Sequence, residues 1–174
     1  LGVKKRGGYS VVNTVSFGSQ TVKDMYGFIP STLTVSFSTN STEYLVVFAG
    51  TTMAYALNGG STFTIVITTL NSSTHVDCAT EFGQLWCVNG DRRFAWAGGT
   101  RTISVPSSFP AGTMIEGHAN RLWVAGVPGN ESIVYGSKFL GGLTWDLAGD
   151  PGDPVQIPIG SRDGTDIACM KSYS

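Results

Sequence analysis

Tyr44-Leu45-Val46-Val47-Phe48-Ala49-Gly50 is an apolar run, rich in β-branched and aromatic residues, that stops at a glycine. That is the pattern of a buried strand ending in a turn. It returns as Gln84-Leu85-Trp86-Cys87-Val88-Asn89-Gly90 and as Arg121-Leu122-Trp123-Val124-Ala125-Gly126. The step is 40 residues from Leu45 to Leu85 and 37 from Leu85 to Leu122. A fixed long period with several short strands per unit is the signature of propeller blades.

Each core run is followed by a turn and a second apolar segment: Met53-Ala54-Tyr55-Ala56-Leu57, Arg93-Phe94-Ala95-Trp96 and Ser132-Ile133-Val134-Tyr135. Alternation in Phe63-Thr64-Ile65-Val66-Ile67 and in Thr102-Ile103-Ser104-Val105 supplies half-buried outer strands. Val76-Asp77-Cys78-Ala79-Thr80-Glu81-Phe82 shares its order of residue types with Ile167-Ala168-Cys169-Met170-Lys171-Ser172-Tyr173, so a further blade is expected to begin near residue 161. A β-sandwich also has short strands between frequent turns. Its strands need not recur at a fixed long period, whereas a blade must lay its face on a neighbour to bury it.

Composition agrees with this. Among 174 residues, 41% are hydrophobic, 13% are charged and 23 are glycine, which excludes a disordered chain and describes strands cut by many turns. The net charge of −1 removes the electrostatic footprint of a general nucleic-acid binder. Lys4-Lys5-Arg6 is the only basic run. No signal-peptide pattern is visible and no apolar run approaches the ~20 residues needed to span a bilayer. The expected fold is therefore all-β and propeller-like, with about three to four blades in an incomplete ring, from a longer chain or a ring shared between chains. Residues 1–30 form an amino-terminal segment completing an adjoining blade or platform, and the blades occupy about 31–70, 71–108, 109–160 and 161–174.

Three groups of residues carry a family resemblance. Gly2-Val3-Lys4-Lys5-Arg6-Gly7-Gly8-Tyr9 resembles the basic, glycine-containing lead-in of tailed-phage tail proteins, with Gly7 where those proteins usually have Pro. Leu85-Trp86-Cys87-Val88-Asn89-Gly90 followed by Phe94-Ala95-Trp96-Ala97-Gly98 is similar to one of their blades. His118-Ala119-Asn120-Arg121-Leu122-Trp123-Val124-Ala125-Gly126, then Ile133-Val134-Tyr135-Gly136-Ser137 and Thr144-Trp145, is similar to another. The group so resembled is the propeller-bearing tail nozzle or tail-tubular proteins, with the related head-closure and DNA-stabilising proteins of short-tailed phages. The resemblance implies a structural virion protein, partnered by other tail proteins or copies of itself in a homo-oligomer, with no membrane and no sequence-specific nucleic acid.

Candidate chemistry is sparse. A glycosidase needs two opposed carboxyls, and Asp77, Glu81, Asp91, Glu116, Asp146, Asp150 and Asp153 form no recognisable pair. The run from Asp146 to Pro154 offers oxygens to Ca²⁺ but lacks EF-hand spacing, and reads as a surface turn. Gly142-Leu143-Thr144-Trp145 ends like an Asp-box, yet Leu140 and Lys138 replace its Asp and Ser and Ser137 is out of register, which leaves a hairpin with a packing Trp. His75 and His118 have no nucleophile partner. Arg121 and Trp123 share a strand face, with Trp123 expected to pack on the next blade and Arg121 to hold a carbonyl. Cys78, Cys87 and Cys169 lack C-x-x-C spacing and are expected as small apolar strand residues. The sequons at Asn40, Asn71 and Asn130 follow from composition. The expected function is structural, with no enzyme activity, no cofactor and no catalytic or metal residue. A sialidase-like hydrolase fragment and a glycan-binding propeller lectin are the alternatives.

Overall fold

In a computed structural model, the described residues are 17, 20–30, 42–57, 60, 62–71, 74–141, 144–146, 152–159 and 166–171. They form eleven strands and no helix. The first sheet runs in the order β1 (Val22–Phe28), β2 (Tyr44–Ala49), β3 (Thr52–Leu57), β4 (Thr64–Ile67). The second contains β5 (Asp77–Glu81), β6 (Gln84–Val88) and β7 (Arg93–Trp96), and the third β8 (Met114–His118), β9 (Arg121–Ala125), β10 (Ile133–Gly136) and β11 (Val155–Pro158). Every pairing is antiparallel and the three sheets do not close on themselves. The fold is all-β and propeller-like.

The three repeated runs are β2, β6 and β9, each the second strand of its sheet. Period-2 alternation then divides each of them between two faces. Val46 and Phe48 meet Leu85 and Cys87 in one core cluster, while Trp86 and Val88 meet Leu122 and Val124 in the other. Each sheet thus has a leading face turned toward its successor and a trailing face turned toward its predecessor. In this register Leu45, Leu85 and Leu122 are trailing equivalents, and Val46, Trp86 and Trp123 are leading equivalents.

Aromatic residues fill both contacts. Trp96 lies 4.8 Å from Tyr55, 5.3 Å from Tyr44 and 5.6 Å from Phe28, between the first and second sheets. Phe109 stands edge-on to Trp86 at 5.5 Å and stacks on Trp145 at 5.2 Å, beside the third sheet. The hairpins β5–β6 and β8–β9 turn on Phe82-Gly83 and Ala119-Asn120, all four at positive φ. That is the mirror-image turn whose twist matches paired strands.

Several expectations need correction. β1 lies within the segment 1–30 but pairs along β2, so the first sheet starts before residue 31. Thr102 to Val105 makes one bridge, Ala95 to Ser104, rather than a strand. β11 begins directly after the run from Asp146 to Pro154, in a stretch for which no strand was expected. Residues 166–171 carry no strand: Ile167 N–H donates to Glu131 C=O at 3.3 Å and Cys169 is exposed. Without a described strand beside it, that segment has no ladder to join. Cys78 and Cys87 are bonded as a disulfide, not free strand residues. They are directly opposed across β5 and β6, with Cα atoms 4.2 Å apart, and such closeness follows from a narrow cross-strand pair.

Candidate functional site

The leading face of the third sheet carries the candidate site. Glu116, Trp123, Gly136 and Val155 form one row across β8, β9, β10 and β11. A Cβ on Gly136 would stand 2.8 Å from both the Trp123 ring and Val155. The missing side chain therefore lets the indole lie flat across the sheet. Val134, Ile157 and Ile159 follow on the same face, and together with Trp123 they floor a groove of about 450 Å³. Trp123 is half-buried and is anchored by Nε1–H donation to His118 C=O at 3.1 Å. Met170 and Lys171 border the groove from the chain's later segment, with Lys171 Nζ 3.5 Å from Glu116 Oε2. Chemically this is an apolar floor with a charged margin, suited to burying a flat apolar surface.

The buried contact between the second and third sheets has a corresponding ring. Trp86 occupies the Trp123 position in the second sheet, flanked by Ala79 and Ala95 in its own row, and is covered by Phe109, Ile115 and Leu122. A small row neighbour, Ala95 beside Trp86 and Gly136 beside Trp123, leaves room for a large ring on the sheet in each case.

Carboxylates add polar ties between sheets. Asp24 on β1 and Asp77 on β5 sit at matching positions, opposite Phe48 and Val88. Asp24 Oδ2 accepts Val76 N–H at 2.9 Å, and Asp77 Oδ2 accepts Ile115 N–H at 2.8 Å. Burial pushes the Asp77 carboxyl above the usual carboxylate range, opposed by the N–H groups of Ile115 and Cys78. Burial likewise raises Glu81. Tyr26 Oη donates to Val76 C=O at 2.8 Å, and burial, reinforced by Asp77 and Asp24, pushes its phenol up to about 12.

Arg121 Nη1 donates to the carbonyls of Ser137 and Asp153, the latter at 2.7 Å, so it does hold carbonyls. Its guanidinium stands 5.9 Å from the Phe139 ring centre. Ser137 is buried, accepts Leu122 N–H at 3.0 Å and donates to Lys138 C=O at 3.1 Å, and Trp145 packs as described above. Asp146 accepts from Ser108, Asp91 lies 3.9 Å from Arg92, and Asp153 is buried 3.6 Å from Lys138. His75 Nδ1 is 3.1 Å from Asp24 Oδ1. Among the described residues, no three His, Cys, Asp or Glu side chains are grouped to hold a metal ion. Asp150, the Lys4-Lys5-Arg6 run and Asn40 lie outside the described residues.

The inter-sheet carboxylates and the glycine under Trp123 were not singled out from sequence. An acidic residue opposite the fifth residue of the repeated run, at Asp24 and Asp77, is the signal that would have found the first. Comparison with protein-family models, curated proteins and solved structures finds no match to this chain.

Proposed function

We propose that this chain is a structural component of a virion tail, a propeller segment that works in assembly by stacking rigid sheets against neighbouring sheets. The observation carrying this reading is the leading face of the third sheet. It places a tryptophan where Trp86 is buried at the contact between the second and third sheets, and leaves that central Trp123 half-buried beside an apolar groove. The blade-like segments that resemble phage tail proteins coincide with β6 and β7 and with β9 and β10.

The hydrolase reading finds less support, because Asp24 and Asp77 spend their carboxylates on backbone N–H groups. A general acid/base pair would have to present those oxygens to substrate. The test is co-sedimentation of the complete parent protein with virus particles, followed by antibody labelling. Signal at the tail is expected. A parent protein that never accompanies particles overturns the proposal, as does glycosidase turnover that Asp77→Ala abolishes while the fold is retained.

A further inference from the structure

The second sheet has three strands and the third has four. Thr102 to Val105 supplies one bridge, Ser104 to Ala95, in place of a further strand. The consequence lies along the row Ile115, Val124, Tyr135 and Gln156, which crosses β8, β9, β10 and β11 on the trailing face of the third sheet. Ile115 and Val124 are 3% and 0% exposed against the second sheet, whereas Tyr135 is half-buried and Gln156 is exposed. Residue chemistry follows coverage, aliphatic on the inner two strands and a phenol and an amide on the outer two. A pocket of about 390 Å³ lies over this outer part. Its wall is the last ring of the series Trp86, Phe109 and Trp145, with Trp145 stacked on Phe109 at 5.2 Å. Its rim carries Asp146, whose carboxylate accepts from the Ser108 hydroxyl.

We propose that this pocket binds a neutral pyranose ring, the terminal sugar of a glycan. A pyranose has a face of C–H groups and a rim of hydroxyls, so it is matched by an aromatic surface beside side chains that donate and accept hydrogen bonds. Trp145 and Tyr135 supply the aromatic surface, and Gln156, Asp146 and the Tyr135 hydroxyl supply the polar groups. The Asp146 carboxylate takes hydroxyl hydrogens, while the Gln156 amide both donates and accepts. Among the described residues no lysine or arginine lines the pocket, so nothing there compensates the charge of an acidic sugar. Asp146 is the sole carboxylate among the described lining residues, which suits binding without bond cleavage, since hydrolysis takes two. The volume falls within the range of small-ligand sites, about 300–1,000 Å³. The role is separate from the assembly surface around Trp123, which lies on the opposite face of the same sheet.

The test records saturation-transfer difference NMR and tryptophan fluorescence for the unaltered chain across a concentration series of the methyl glycosides of glucose, galactose, mannose and N-acetylglucosamine. At least one glycoside is expected to receive saturation at its ring protons and to give a saturable fluorescence change. Gln156→Ala and, independently, Asp146→Ala are expected to weaken that binding about tenfold each, with near-ultraviolet dichroism unchanged. Both side chains are exposed, so their replacement does not open the core. Absence of saturation transfer to all four glycosides overturns the proposal, as does binding that neither replacement weakens, which places the sugar elsewhere. Cyclohexanol bound as tightly as the best glycoside also overturns it, because the ring hydroxyls then contribute nothing. Tighter binding of methyl glucuronide overturns the neutral class. Binding is read on the chain itself, so its failure leaves the virion reading standing, and a parent protein absent from particles leaves the sugar site standing.

Discussion

Asp77 and Ile115 tie two sheets together through one hydrogen bond, Asp77 Oδ2 accepting Ile115 N–H at 2.8 Å. A second oxygen of the same carboxylate accepts Cys78 N–H at 3.1 Å. Buried carboxylates are tolerated where hydrogen bonds replace the lost water. Here the replacement spans an interface that is otherwise apolar, and so fixes the slide of one sheet over the next.

Replacing Asp77 with Ala leaves Ile115 N–H without its partner and is expected to lower unfolding free energy by about 1–3 kcal/mol. Asp77→Asn keeps one accepting oxygen and is expected to lose less. Because the folded carboxyl is raised by burial, the folded state holds more protons than the unfolded state just above the ordinary aspartate range. The contribution of Asp77 to stability therefore falls as pH rises through that window. Urea midpoints of the unaltered chain minus those of Asp77→Asn should decline across it, and a rising difference would contradict the burial of this group.

Tyr26 is expected to give a late component in ultraviolet titration, with its phenol pushed up to about 12 by burial and by Asp77 and Asp24. Tyr26→Phe should remove the late component of the curve. Folding favours the neutral phenol, so the stabilisation is present below the ordinary tyrosine range and is lost as pH climbs through the raised value.

Thiol titration of the unreduced chain is expected to find Cys169 alone, and titration after reduction and denaturation all three cysteines. Paired replacement of Cys78 and Cys87 by Ala should cost about 2–3 kcal/mol, the effect of opening a short closed loop in the unfolded chain. Three reactive thiols before reduction would remove the bridge.

Arg121 reaches two carbonyls, of Ser137 and of Asp153, with one guanidinium nitrogen. Arg121→Met is expected to destabilise by about 1.5–3 kcal/mol, because charged hydrogen bonds are lost and two acceptors are left to be rehydrated. Arg121→Lys should recover only part of this, since an ammonium lacks the planar fork of donors. Full recovery by Lys would show that charge alone matters there.

Gly136→Ala places a Cβ 2.8 Å from Trp123 and from Val155. Overpacking of this kind costs about 1–3 kcal/mol. The indole must lift from the sheet, so Trp123 fluorescence should shift relative to the other tryptophans. An unchanged spectrum with unchanged stability would show that the ring does not rest on that glycine.

How far the sequence carries is clearest at Leu85, Trp86 and Cys87. Their alternation and spacing declare a strand that repeats Leu45 and Leu122, because period and branching are local properties of an extended chain. The three-sheet, all-β organisation follows from that repeat. Local properties do not say which of two apolar faces meets a neighbour, so Leu45 reads like Leu85 although only Leu85 is covered. The Cys78 to Cys87 bridge depends on the register of a hairpin whose turn, Phe82-Gly83, carries no strong turn signal in the first residue.

The same distinction governs the candidate site. Trp123 was legible as the tryptophan of a repeated strand, and Arg121 as a residue that holds carbonyls. The groove beside Trp123 was not, because its floor combines β9 with β10 and β11, strands brought together only by long-range pairing. Asp77 is an ordinary acidic residue beside a cysteine until Ile115 is placed opposite it. The sequence by itself determined strand content, repeat and the alternation that makes two faces. Tertiary structure alone decided which faces are buried, which carboxylates join sheets and where apolar surface is left open, because burial belongs to the relation between segments distant along the chain.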